Sequence, residues 1–130
     1  MNSGSRDKKV RTHSVLKSFA FAFSGIRTAL FNERNLQIHL AVAIAVLFFG
    51  GYFGISRLEW IIIILAIGGM LSLELLNTAI ERAVDLATED YHPLAKQAKD
   101  IAAGAVLVFA IVCIIVGGIV FLPKIFIFLQ

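Results

Sequence analysis

Charge is what this sequence has least of. Of its 130 residues, 16% are Asp, Glu, Lys or Arg, whereas 58% are apolar. Soluble domains carry about a quarter charged residues. This balance excludes a soluble α/β enzyme, a disordered tail and a nucleic-acid module. There is one cysteine, Cys113, set inside an apolar run. No intramolecular disulfide and no CxxC zinc site can form from it, and it reads as a packing residue. Neither a G-x-x-x-x-G-K-[ST] loop nor a kinase-type glycine loop occurs. A nucleotide, if held at all, is held without either of those phosphate cradles.

What the chain has instead is a mean hydropathy of +0.85 and three long apolar runs. It is long enough for one domain and reads as an integral membrane protein. A net charge of +3 on such a chain is a topology signal, not a mark of DNA or RNA binding. Residues 1–13 are polar and basic, with no apolar h-region or small-residue cleavage site, and read as a flexible cytoplasmic tail.

From Ser14 to Phe31 the pattern is amphipathic. Val15, Leu16, Phe19, Phe23, Ile26 and Leu30 share one arc; Lys17, Ser18, Ser24 and Thr28 take the other, with Phe21 misplaced among them. Lys17 and Arg27 interrupt it as a span, so a helix lying in the membrane interface is expected, with packing on a partner protein as the alternative.

The first span is expected over residues 36–55, long enough to cross a hydrocarbon core of about 30 Å. The second runs over 58–86. Its charge-free part, Trp60 to Leu73, is too short to cross, so the helix must continue through Glu74 and Asn77. The third is expected over 93–122, with Pro93 in its first turn and Pro123 as its stop. Residues 14–124 thus form a single membrane domain, followed by a short tail at 125–130. With the N-terminus inside, the only basic residues outside are Arg57 and Lys124, which sets an N-in, C-out orientation. Glu59 is the one acid outside; the rest share the inner side with most of the basic residues.

Chemistry concentrates there. Glu74, Asn77, Glu81 and Asp85 fall at about 0°, 300°, 340° and 20° on a helix, a single stripe running from bilayer to water. Like charges at that spacing repel, so something cationic must neutralise them. A solvated helix face would explain Asp85 and Glu81 without chemistry. It does not explain Glu74, which lies about 9 Å inside the core when counted at 1.5 Å per residue from Trp60. An acid at that depth is costly and marks function. Glu33 lies at the depth of Glu81, and Lys99 and Asp100 open the third span across a short loop from Asp85. Carboxylates with an amide oxygen suit Mg²⁺, and a lysine beside them suits a phosphate. Together they describe phosphoryl transfer between an aqueous nucleotide and a lipid hydroxyl. A cation-coupled transporter is the rival from another class, although it would want a site nearer the midplane and an internal repeat. A structural subunit that docks a soluble protein is a third reading, and the depth of Glu74 argues against it. The glycine pairs 50–51, 68–69 and 117–118, and the stripe Ala95, Ala98, Ala102 and Ala105, read as helix contacts.

The run Leu73-Glu74-Leu75-Leu76-Asn77-Thr78-Ala79-Ile80-Glu81, followed by Val84-Asp85, resembles the signature of the small prokaryotic diacylglycerol kinase family. The later run from His92-Pro93 to Lys99-Asp100, with Ala102-Ala103-Gly104-Ala105-Val106, resembles its second block. Gly25-Ile26-Arg27 ahead of Asn32-Glu33 is similar too. The resemblance covers about residues 14 to 124. It implies an all-α membrane protein of a bacterial cell membrane, with an interfacial helix and three spans. It further implies a homotrimeric bundle whose composite active sites lie between chains at the cytoplasmic interface. By the same resemblance Glu74 is the catalytic base, and Glu33 and Glu81 hold Mg²⁺. Asn77 then lies close to the reacting phosphate, Lys99 contacts the ATP phosphates, and Asp85 and Asp100 support the nucleotide. Arg27 and His39 are candidate lipid contacts. Family members that phosphorylate diacylglycerol have an arginine where this chain has Ser14, with Arg11 one turn earlier as a substitute, and a glutamate near the position of His39. The segment from Glu33 to His39 resembles instead the Gram-positive branch, similar to undecaprenol kinase. ATP- and Mg²⁺-dependent conversion of undecaprenol to undecaprenyl phosphate is the activity that follows, with diacylglycerol as the alternative acceptor.

Overall fold

The computed structural model describes residues 15–130, which form four helices and no strand. Arg11, Ser14 and the expected tail at 1–13 lie outside the described residues. The helices are α1 (Val15–Asn32), α2 (Arg34–Phe53), α3 (Arg57–Ala87) and α4 (Pro93–Phe128). The last three are each long and apolar enough to cross a membrane.

Local chemistry sets each boundary. Glu33 alone separates α1 from α2, with extended backbone (φ −109°, ψ 109°). Gly54 ends α2 at φ +60°, a left-handed conformation that glycine adopts without steric cost. Two residues on, Ser56 opens α3 with a capping box. Its Oγ accepts from the Glu59 N–H at 3.3 Å, and its own N–H donates to Glu59 Oε2 at 2.6 Å. At the start of α4, Pro93 takes the first turn, and His92 Nδ1 accepts from the Leu94 N–H at 3.2 Å.

Pro123 does not stop α4, contrary to expectation; the helix continues to Phe128. Pro123 cannot donate to the carbonyl four residues back. The loss is offset beyond it, where Phe128 meets Tyr52 and Phe53 with ring centroids 5.8 and 6.1 Å apart. Lys124 also pairs with Glu59 at 3.5 Å, tying the far end of α4 to the start of α3.

Packing is closest between α3 and α4. A Cβ built on Gly69 would stand 2.5 Å from the Phe109 ring, so the two backbones approach where glycine leaves room. Gly50 is likewise filled, by Trp60 and Ile55, whereas Gly51, Gly68 and Gly117 face open space within this chain. Of the alanine stripe, Ala102 is buried and Ala105 exposed. Ile55, Ile63 and Val120 form a small core with Val46, Trp60, Ile67, Val116 and Phe121 around it. Much of the remaining apolar surface is uncovered, including Val15, Leu16, Phe19 and Phe23 of α1.

Candidate active site

Three polar side chains of α3 are buried: Glu74, Asn77 and Thr78. Glu74 is the deepest, at 3% exposed. An isolated buried carboxylate pays heavily for lost hydration unless something pairs with it. The pairing group comes from α2, where His39 Nε2 stands 3.1 Å from Glu74 Oε1. His39 also lines an apolar cavity of about 400 Å³ between α2, α3 and α4, together with Val42, Met70, Leu71, Ala110 and Cys113. The acid is thus joined, through His39, to a groove with hydrocarbon walls.

One turn on, Asn77 Nδ2 donates to Glu81 Oε1 at 3.1 Å, and Asn77 Oδ1 is buried with no hydrogen-bond partner among the described residues. Arg82 Nη2 donates to Glu33 Oε1 at 2.9 Å. Because Arg82 follows Glu81 directly, this pair brings Glu33 to the level of Glu81 along α3. Near the end of α3, Asp85 accepts from Lys99 of α4, across the loop that joins the two helices.

The candidate residues thus meet in pairs: Glu74 with His39, Asn77 with Glu81, Asp85 with Lys99. Asp100 pairs instead with Lys96 one turn back, both exposed. Arg27 lies over the ring of Phe31, 5.7 Å from its centroid, within α1. Among the described residues no group of three or more His, Cys, Asp or Glu is placed to hold a metal ion. Two members of the site were not singled out from the sequence. Arg82 is the cation that meets Glu33, and its signal was the demand for positive charge beside an acidic stripe. Thr78, 7% exposed, follows Asn77 directly and had no signal beyond that adjacency.

A buried acid joined through His39 to an apolar groove, followed toward the chain's polar loop by an amide, further carboxylates and a lysine, is laid out to work on a molecule that is part hydrocarbon and part anion. Comparison with known proteins agrees. The chain is 54% identical to undecaprenol kinase of Bacillus subtilis over 120 residues, covering 92% of this chain and 98% of that protein. It is 41% identical to a diacylglycerol kinase of Synechocystis over 111 residues, or 85% of this chain and 63% of that longer protein. It is 31% identical to the diacylglycerol kinase of Escherichia coli K12 over 106 residues, 78% of this chain and 83% of the relative. The profile of the family described as prokaryotic diacylglycerol kinase matches residues 20–121, and the chain belongs to that family of membrane lipid kinases.

Proposed function

We propose that this lipid kinase transfers the γ-phosphoryl group of ATP, with Mg²⁺, to the hydroxyl of undecaprenol at the cytoplasmic face of the bacterial cell membrane. The observation that carries the reading is Glu74, a carboxylate 3% exposed beside an apolar groove. A base withdrawn from water, within reach of a lipid, accounts for an acid there. The choice of undecaprenol is supported by the 54% identity to a protein of that name.

In this reading Glu74 takes the proton of the lipid hydroxyl as its oxygen attacks the γ-phosphorus. The bond to the β,γ-bridging oxygen breaks in line, and ADP leaves. Lys99 lies against the phosphates, with Asp85 holding its ammonium in place until they arrive, and Asp100 supports the nucleotide from the first turns of α4. Asn77, beside the reacting phosphate, offers the unpartnered Oδ1. That buried oxygen and the carboxylates of Glu81 and Glu33 suit a hard cation that keeps several waters and needs few protein ligands. Mg²⁺, when bound, neutralises charge on the phosphates. Arg27 lies in α1, whose uncovered apolar arc suits the membrane interface, and contacts the lipid headgroup region. Three chains assemble, with each site shared between neighbours, and the N-terminus faces the cytoplasm.

The test is phosphate transfer from γ-labelled ATP with Mg²⁺ to undecaprenol and to diacylglycerol in parallel, using purified protein in mixed micelles. Undecaprenol is expected to be favoured. A preference for diacylglycerol would overturn the acceptor and keep the mechanism; transfer to neither, by folded protein, would overturn both.

A further inference from the structure

Glu74 has a named partner, and it comes from another helix. His39 stands 35 positions earlier in the sequence, on α2, yet its Nε2 lies 3.1 Å from Glu74 Oε1. The side chains differ in surroundings: Glu74 is 4% exposed and His39 27%. The next polar groups along α3 are committed elsewhere, since Asn77 Nδ2 is spent on Glu81. The imidazole both lines the apolar groove and meets the acid, which does not line it.

We propose that His39 is the positioning residue for Glu74. A carboxylate on a two-methylene stem has several rotamers, and burial alone does not choose among them. An imidazole nitrogen 3.1 Å from Oε1 narrows that choice and leaves Oε2 as the proton acceptor for the lipid hydroxyl. His39 forms no bond to the phosphoryl group and takes no proton; it acts through Glu74. The resemblance offers His39 as a lipid contact, and the groove it lines is compatible with that; the positioning role is additional. This inference rests on the reading of Glu74 as the base.

The experiment compares His39→Leu, His39→Gln and Glu74→Gln in the full-length protein, with kcat and the KM values for lipid and ATP measured separately. His39→Leu is expected to lower kcat by about tenfold or more while both KM values stay within about twofold, the pattern of an interaction made only in the transition state. His39→Gln keeps an N–H at the same reach and is expected to recover most of the loss. In a Glu74→Gln background, His39→Leu is expected to change the residual rate by less than about twofold, because residues acting as a unit are not additive. An unchanged kcat in His39→Leu, a raised lipid KM with kcat intact, or an undiminished effect in the Glu74→Gln background would each overturn the proposal. If His39→Leu does not assemble, His39→Met against His39→Gln makes the same comparison. Should Glu74→Gln turn over normally, the base reading itself fails. Should Glu74→Gln be inactive and His39→Leu normal, only the positioning role fails.

Discussion

Replacing Glu74 by glutamine changes one atom and removes the only property that explains its burial. The expected result is a fall in kcat of about 10²-fold or more, the usual size of a lost general base, with the assembled form unchanged on size-exclusion chromatography. Lys99→Gln acts on the other substrate. It is expected to raise the KM for ATP with little effect on that for the lipid, and substrate titrations at fixed co-substrate would show it. Its exposed pairing with Asp85 contributes at most about 1 kcal/mol to stability, so the unfolding midpoint should barely move. Glu74 was legible in the sequence because helical rise converts residue number into depth, and a charge at that depth has few structural excuses. Its contact with His39 was not, because a contact between two helices leaves no periodic trace in either. Arg82 was equally hidden: one more inner basic residue by composition, and the partner of Glu33 only once α2 lies against α3.

The elements follow local rules almost throughout. Gly54, Ser56 and Pro93 punctuate the helices where their backbone chemistry demands, and these were readable one residue at a time. Pro123 was not, because what carries α4 past it is aromatic packing on α2, which no local rule counts. The close approach of α3 and α4 at Gly69 yields a prediction of its own. Gly69→Leu would drive a side chain into the Phe109 ring, and overpacking of this kind costs about 1–3 kcal/mol. The unfolding midpoint in detergent should fall, and adding Phe109→Ala should restore part of it. An unchanged midpoint in Gly69→Leu alone would mean that the helices do not pack as described.

For the whole molecule, the uncovered apolar surface is what a lipid-embedded protein presents to lipid or to further copies of itself. The proposed composite sites make a specific forecast. Glu74→Gln subunits, nearly inactive alone, and Lys99→Gln subunits, slow at ATP well below their raised KM, should regain activity at low ATP when mixed and reassembled, because some sites would draw both intact side chains from different chains. No recovery would place each site within one subunit. The proposed orientation is open to impermeant thiol reagents in a Cys113→Ala background: Gln130→Cys should react in intact cells, and Ser18→Cys only after permeabilisation.

The capping box at Ser56 has a further consequence for how this protein keeps its measure. From Ser56 to Glu74 is about 18 residues, which at 3.6 per turn is close to five whole turns. The cap thus acts as the zero mark of a ruler, anchored at one end of the apolar part of α3 and read near the other. Inserting a single alanine between the two would swing the carboxylate about 100° away from α2 and shift it about 1.5 Å toward water. The enzyme can therefore vary its residues in that stretch far more freely than it can vary their number.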